Sequence, residues 1–303
     1  MSAEAHEKLL LFCFIPLGVI FTIASVTANG IFLLTCAAKR NIRDFRMKLL
    51  MALSFVDLLQ GIFVWGSTLY IFIRDYRDEM VIRHYKDESY KAGETLHIIS
   101  GYALTFSSVT MLFVIGFEQY FAILYPYKHQ RCVNAKIMLI PVLLLNVVLS
   151  MTGGIIFTMT IYWNMFVNIV HGILLLSFLT TVYFYIKVWQ VSKRVQSEIT
   201  SQNREEGLRI KKESKAAKTS CLVLITFVIC YIPMVLLHVL YLFDNIITAS
   251  NQFYYVWVSG MFAMSKSTWN PLIFYWRLKA VQKATKQFIR GMCGNHVQPR
   301  EGR

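Results

Sequence analysis

The chain has 303 residues, of which 56% are hydrophobic and 16% charged, and its formal net charge is +14. Soluble domains carry about 25% charged residues, so the composition excludes an ordinary soluble protein and indicates a membrane protein. The sequence shows no metal-ligand cluster and no pairing of a nucleophile with a base, and an enzyme is therefore not expected. We also predict no cofactor and no metal. Nucleic acid is not expected as a partner, because anionic lipid and an acidic cytoplasmic partner explain the positive charge more simply.

Seven apolar runs are long enough to cross a bilayer, since a spanning helix needs about 20 mostly apolar residues. In chain order these are spans 1 to 7, at 9–38, 47–73, 96–124, 137–161, 165–189, 220–243 and 253–276. The predicted fold class is an all-α membrane protein with a bundle of seven transmembrane helices. Only Tyr162-Trp163-Asn164 separates spans 4 and 5. The mixed-charge stretch from Arg74 to Glu94 predicts a long solvated loop before span 3, and the alternative is that this segment covers the mouth of the bundle.

The Lys and Arg residues are concentrated in the segments that follow spans 1, 3, 5 and 7. Residues 39–48, 128–136, 187–218 and 277–303 hold 5, 3, 9 and 7 of the 31. Because such residues are retained in the cytoplasm, we expect the amino terminus outside the cell and the carboxyl terminus inside. The predicted divisions are an extracellular amino terminus at 1–8, a transmembrane domain at 9–276, an amphipathic surface helix at 277–290 and a cytoplasmic tail at 291–303.

The surface helix is predicted from basic and apolar residues that alternate at helical spacing, which suits a helix lying on the inner leaflet of the bilayer. Cys293 follows it and is a candidate site of palmitoylation. All six cysteines fall in spans or on the predicted cytoplasmic side, so no extracellular disulfide is expected.

Three polar residues lie within spans, where burial of an unpartnered polar group is costly. Asn29 in span 1 is expected to form a hydrogen bond between helices. Asp57 in span 2 and Lys266 in span 7 are ionisable, and such residues within a membrane usually face the bundle interior. Lys266 lies more than two turns from the cytoplasmic end of its span, which argues against snorkelling to the interface.

Several short motifs carry a resemblance to a known family. They read Leu53-Ser-Phe-Val-Asp57 in span 2, Glu118-Gln119-Tyr120 and then Pro126 after span 3, Phe227-Val-Ile-Cys230-Tyr231-Ile-Pro233 in span 6, and Asn270-Pro271-Leu-Ile-Phe-Tyr275 in span 7. These motifs resemble those of rhodopsin-like (class A) G-protein-coupled receptors. The chain departs from the family pattern where Gln119 stands in place of Arg and Tyr231 in place of Trp.

The resemblance implies a polar switch inside the bundle, formed by Asn29, Asp57, Ser108, Lys266, Asn270, Pro271 and Tyr275. In the family the span-2 carboxylate faces a water-filled cavity that often holds sodium, and Ser108 stands at a sodium-ligand position. Lys266 falls where a residue often lines the same cavity. We therefore expect its ammonium to pair with Asp57 in place of the sodium ion, and Asn270 to pair with Asp57 as well.

A pivot in span 6 is also implied, at Phe227, Cys230, Tyr231 and Pro233. Proline removes a backbone hydrogen bond and kinks the helix, although a kink that serves packing alone is the alternative. The implied G-protein interface consists of Glu118, Gln119, Tyr120, Pro126, Tyr183 and Glu213. Because Gln119 cannot form the ion pair with Glu213 that the family Arg forms, we expect a weaker inactive-state lock and raised basal activity.

The pocket face implied by the resemblance comprises His97, Gly101, Tyr102, Thr105, His171, Met234, His238, Gly260 and Met264, although a helix–helix hydrogen bond is the more common role for a residue such as His171. Gly101 stands where amine receptors hold an Asp, and Met264 where opsins hold the retinal Lys, so neither ligand is expected. The absence of the extracellular Cys pair, the short second extracellular loop and the lack of a span-5 Pro resemble melanocortin receptors, in the cluster with adenosine, cannabinoid and lysophospholipid receptors. This similarity implies a peptide or lipid ligand.

The function implied is a plasma-membrane receptor that transmits an extracellular ligand signal to a heterotrimeric G protein. Gln119 favours an alternative, a receptor-shaped protein that does not couple to G proteins and acts as a decoy or heteromer partner. A transporter or channel would show repeated halves or several intramembrane charges. The sequence shows neither, since only Asp57 and Lys266 lie well inside the spans.

Overall fold

The structure is a computed structural model. It describes residues 12–13, 15–38, 45–67, 69–70, 88–125, 129, 148, 172, 175–176, 179–180, 182–191, 193, 218–219, 221–233, 235–236 and 249–293, and within them the side chains of 45, 88–98, 102, 123–124, 249–257, 259 and 292–293 are not described. All regular secondary structure in this part of the chain is helical. The long helices are Ile15–Ala38, Phe45–Leu59 with a π-helical continuation Gln60–Trp65, Glu88–Leu124, Ala249–Arg277 and Lys279–Cys293. Shorter helical segments cover 182–191 in span 5 and 221–233 in span 6.

Three stretches of described helix are long and apolar enough to cross a membrane: Ile15–Ala38, Arg46–Trp65 and Ile99–Ala122. They correspond to spans 1, 2 and 3. The span-6 segment Cys221–Pro233 is apolar but shorter. Span 4 lies outside the described residues apart from Val148.

Span 1 shows how the sequence builds one of these helices. Pro16 lies in the first turn, where its missing N–H costs no hydrogen bond. Ser25, Asn29, Phe32 and Cys36 are buried and follow one another at intervals of four, three and four residues, which is one face of an α-helix. This face carries both polar and apolar residues into the bundle, whereas Leu, Ile and Val side chains elsewhere on the helix are exposed.

Span 3 begins earlier than the sequence predicts. The expectation of a solvated loop from Arg74 to Glu94 is wrong for its last part, because the helix starts at Glu88. An acidic residue such as Glu88 is favourable in the first turn, at the positive end of the helix dipole. The backbone hydrogen bonds of a helix form within the helix and do not require apolar side chains. The helix can therefore begin before the apolar run from which span 3 is predicted.

The hydrophobic core joins spans 1, 2, 3, 6 and 7. Its largest fully buried apolar members include Leu53, Met111, Ile115 and Phe274. The ring of Phe32 in span 1 packs against Phe274 of span 7, with centroids 5.2 Å apart. Close packing of this kind holds the polar residues of neighbouring turns at fixed positions.

The helix after span 7 runs from Lys279 to Cys293, so it begins two residues later than predicted and ends three residues later. Val281 and Ala284 are buried, whereas Lys283 and Lys286 are exposed, as the predicted amphipathic pattern requires. The helix packs against the helix of span 1. We call this side of the bundle, where spans 1, 3 and 7 end and base-rich segments follow, the basic end.

Candidate functional site

A buried ion pair lies near the middle of the bundle. Lys266 Nζ donates a hydrogen bond to Asp57 Oδ1 at 3.3 Å, and Asn270 Nδ2 donates one to Asp57 Oδ2 at 2.6 Å. Lys266 and Asn270 are four residues apart in span 7 and therefore point to the same side of the helix. Asp57 is 0% exposed and Lys266 is 1% exposed, so the two charges depend on each other.

The ammonium of Lys266 also contacts two further helices. It donates a hydrogen bond to Ser108 Oγ of span 3 at 2.5 Å. It lies 5.9 Å from the ring centroid of Phe227 in span 6, within the range of a cation–π contact. One side chain of span 7 therefore contacts spans 2, 3 and 6 together.

A second polar layer lies beside the ion pair and joins spans 1, 2 and 7. Asn29 Nδ2 donates hydrogen bonds to the carbonyl oxygens of Ser25 at 2.9 Å and Ser267 at 2.8 Å, and Asn29 Oδ1 accepts one from Ser54 Oγ at 2.6 Å. Ser25 Oγ donates a hydrogen bond to Ser267 Oγ at 3.0 Å. The predicted interhelical role of Asn29 thus corresponds to a set of specific contacts.

Gly61 allows spans 1 and 2 to approach closely at this layer. A Cβ atom at position 61 would lie 3.0 Å from Ser25 Oγ and 3.1 Å from Val26 Cγ2. Such distances are shorter than ordinary contacts, so a larger side chain would displace the helix that carries Ser25. Small residues serve the same purpose at many helix interfaces in membranes.

The predicted pivot residues of span 6 face the bundle. The rings of Phe227 and Tyr231 stack with centroids 4.3 Å apart, and Tyr231 OH donates a hydrogen bond to Thr105 Oγ1 of span 3 at 3.2 Å. Cys230 Sγ lies 3.5 Å from Ser265 Oγ of span 7. A chain of contacts therefore leads from Lys266 through Phe227 and Tyr231 to Thr105.

Another buried carboxylate lies at the basic end. Glu118 is 2% exposed and accepts hydrogen bonds from Arg46 at both oxygens, from Nε to Oε2 and from Nη2 to Oε1, each at 3.3 Å. His129 Nε2 lies 3.1 Å from Glu118 Oε1. The neighbouring Gln119 is fully buried, and Tyr120 is half-buried with its ring against Phe184 of span 5.

Span 5 places a different tyrosine inside the bundle from the one singled out in the sequence. Tyr183 is 55% exposed, whereas Tyr185 is 3% exposed and lies against span 3 at Gly116. Two residues turn an α-helix by about 200°, which puts the two side chains on opposite faces. Tyr275, predicted to move between inner partners, is 39% exposed, and Pro271 is buried within its helix.

The predicted pocket is described only in part. Gly101, Thr105, Gly260 and Met264 are half-buried. His97 and Tyr102 lie in the span-3 helix, but their side chains are not described. The predicted site residues that lie outside the described residues are Pro126, His171, Glu213, Met234 and His238, and the side chain of Cys293 is also not described. Within the described part of the chain, no three His, Cys, Asp or Glu side chains cluster as metal ligands do.

The contact residues that the sequence does not single out include Ser25, Ser54, Arg46 and His129. Ser25 lies one turn before Asn29 and Ser54 one turn before Asp57, and this helical spacing was an available signal. Arg46 is one of five bases in 39–48 and His129 follows another base, so neither is distinguished by its sequence context. Only the packing of spans 2 and 3 selects them.

A comparison with known protein families matches residues 28–274 to the family described as "7 transmembrane receptor (rhodopsin family)". The match covers most of the chain, from span 1 to span 7, and it confirms the predicted seven-helix fold. No curated protein matches the chain significantly. Members of this family are receptors rather than enzymes. The chain is therefore a multi-pass membrane receptor that belongs to the rhodopsin family of G-protein-coupled receptors.

Proposed function

We propose that the chain resides in the plasma membrane, binds an extracellular ligand and activates a heterotrimeric G protein at the basic end, which faces the cytoplasm. The observation that carries this proposal is the position of Lys266, which contacts spans 2, 3 and 6 at the same time. A receptor needs a residue that several helices contact, so that movement of one helix changes the contacts of the others. Lys266 meets that requirement.

The signal would pass from the pocket to span 6 through Thr105. This residue lies on the predicted pocket face and accepts the hydrogen bond of Tyr231, whose ring stacks on Phe227. A ligand that displaces Thr105 would release Tyr231, and Pro233 would allow the half of span 6 nearest the basic end to swing outward. In this proposal the ammonium of Lys266 takes the place of a sodium ion beside Asp57.

The proposed ligand is a peptide or a lipid, because the chain resembles the melanocortin receptors, within the cluster that also contains cannabinoid and lysophospholipid receptors. The supporting feature is the composition of the pocket face, where Gly101, Gly260 and Met264 offer no charged group to anchor an amine. A pocket of small and apolar residues with few polar groups suits an apolar ligand surface.

Gln119 favours the second candidate, a receptor-shaped protein that does not couple to G proteins. The test is basal G-protein activation in cells that express either the native chain or Gln119→Arg, with surface expression measured for both. We expect the native chain to raise basal activation several-fold above untransfected cells. Gln119→Arg supplies the side chain that the family uses at this position.

The outcomes separate the two candidates. Activation by the native chain supports coupling with Gln119 in place, and the ligand search then compares lipids with peptides. Activation by Gln119→Arg alone supports the non-coupling alternative. If neither chain activates a G protein at equal surface expression, the expectation of raised basal activity is contradicted.

A further inference from the structure

Arg46, Glu118 and His129 form a contact set that no motif predicts, and we call it the clasp. It joins the start of span 2, the end of span 3 and the segment that follows span 3. We infer that the clasp holds the end of span 3 and His129 in the resting position of the receptor, with Arg46 as its positioning residue, and that opening of the clasp regulates coupling. The inference deepens the proposed function, on which its signalling part rests.

The clasp is specific for a guanidinium. Arg46 reaches both carboxylate oxygens of Glu118 through two different nitrogens, Nε and Nη2. This two-point arrangement matches the planar fork of Arg, whereas the ammonium of Lys is a single point charge. Because Glu118 is 2% exposed, it depends on its protein partners for the stabilisation that water gives a carboxylate at the surface.

The positive charge of Arg46 is not favoured by its place in its own helix. Arg46 is the second residue of Phe45–Leu59, and that helix has no acidic residue in its first turn. A positive charge at the amino-terminal end of a helix is unfavourable, since the helix dipole is positive there. The contact with Glu118 of span 3 offsets this unfavourable interaction with the helix dipole.

His129 connects the clasp to the chain beyond span 3. Its backbone N–H donates a hydrogen bond to the carbonyl oxygen of Tyr125 at 2.8 Å, and its ring packs near Phe121 with centroids 6.3 Å apart. Its Nε2 atom lies 3.1 Å from Glu118 Oε1. His129 is thus held at a carboxylate whose other partner, Arg46, belongs to span 2.

The arrangement has a consequence for coupling. Arg46 is 16% exposed, so water reaches the guanidinium and can replace part of the lost contact when the clasp opens. Glu118 has no such exposure, and its carboxylate is directed towards its partners in the fold rather than towards solvent. Rearrangement of the basic end for a G protein would therefore require the contact between Arg46 and Glu118 to open.

The first experiment is a double-mutant cycle on the full chain purified in lipid nanodiscs, with thermal unfolding as the readout. We expect Arg46→Gln and Glu118→Gln each to lower Tm by about 5–10 °C. The double variant should lose no more than the larger single loss, because the two residues act as one pair. Losses that add, or an Arg46→Gln variant that unfolds like the native chain, would overturn the inference.

A matched control and a conservative variant complete the cycle. Lys48→Gln removes an exposed charge from the same helix two residues away and should leave Tm unchanged. Arg46→Lys keeps the charge but not the fork, and we expect it to lose about half as much Tm as Arg46→Gln. If Arg46→Gln does not fold, Arg46→Lys carries the test, and a native Tm in that variant contradicts the role of the fork.

The second experiment measures signalling. Arg46→Gln, corrected for surface expression, should raise basal G-protein activation at least three-fold over the native chain, whereas Lys48→Gln should not. An unchanged level in Arg46→Gln, in a chain that couples, contradicts regulation by the clasp. If neither the native chain nor Arg46→Gln activates a G protein, the proposed coupling and its regulation are contradicted, but the clasp itself is not, because the thermal cycle does not depend on a G protein.

Discussion

In the part of this receptor that the structure describes, two carboxylates are buried and each is paired with a cation from another span, but the two pairs differ in their access to water. At Asp57 the cation is Lys266, which is 1% exposed in the middle of the bundle. At Glu118 the cation is Arg46, which is 16% exposed at the basic end. Water does not reach the first pair, whereas it can partly replace the cation of the second pair. We therefore interpret the central pair as a permanent connection between helices and the clasp as one that can open.

The largest effect that would test this comparison is expected from Lys266→Met. The substitution preserves side-chain bulk but leaves the carboxylate of Asp57 buried without its cation, which should lower the free energy of unfolding by about 3–5 kcal/mol. The measurement is thermal or chemical unfolding of the purified receptor in nanodiscs. The matched control is Lys283→Met, which removes an exposed charge from the surface helix and should have little effect.

The double variant Asp57→Asn/Lys266→Met separates charge from packing. It removes both charges, so we expect it to recover most of the stability that Lys266→Met loses. Equal losses in the single and double variants would show that packing, not charge, explains the effect. The same preparation tests the sodium proposal: the native chain should unfold at the same temperature in sodium chloride and in choline chloride of equal ionic strength.

An intermediate effect is expected from Gly61→Ala, which acts on the polar layer beside the central pair. The new methyl group would meet Ser25 Oγ at 3.0 Å, and Ser25 is itself held by its hydrogen bond to Ser267. We expect a loss of about 1–3 kcal/mol in the free energy of unfolding. Gly66→Ala is the control, because a Cβ atom there has no neighbour within 4 Å and Ala favours helix. A stable Gly61→Ala variant would show that spans 1 and 2 separate easily.

The smallest effect is expected from Tyr231→Phe, which removes one hydroxyl and preserves the ring that stacks on Phe227. Loss of the 3.2 Å hydrogen bond to Thr105 should lower the free energy of unfolding by about 0.5–1.5 kcal/mol. If this bond restrains span 6, basal signalling should rise as stability falls. Thr105→Val removes the acceptor with little change in shape, and the two variants together should show non-additive effects. Additive effects would mean that the hydroxyl groups act independently.

The sequence determined the fold class and the main features of the central site. Apolar runs of bilayer length can be recognised from the sequence alone, because each helix that crosses the bilayer requires about 20 apolar residues. An Asp and a Lys in such runs need internal partners for the same reason, and the spacing of Lys266 and Asn270 puts both on one face of span 7. The segment from Glu88 to Glu94 is helical although its hydropathy predicts a loop. Hydropathy detects the part of a helix that lies in the bilayer and does not detect its polar extension into water.

Only the tertiary structure decided which residues meet at the basic end. Arg46 lies among five bases in 39–48, and nothing in the sequence distinguishes it from the others. The rotation of span 5, which buries Tyr185 and exposes Tyr183, likewise depends on how Gly116 accepts a ring from the neighbouring helix. Helix periodicity states which residues share a face, but the face that a helix turns to its neighbour follows from packing between helices, and the clasp exists because that packing brings spans 2 and 3 together.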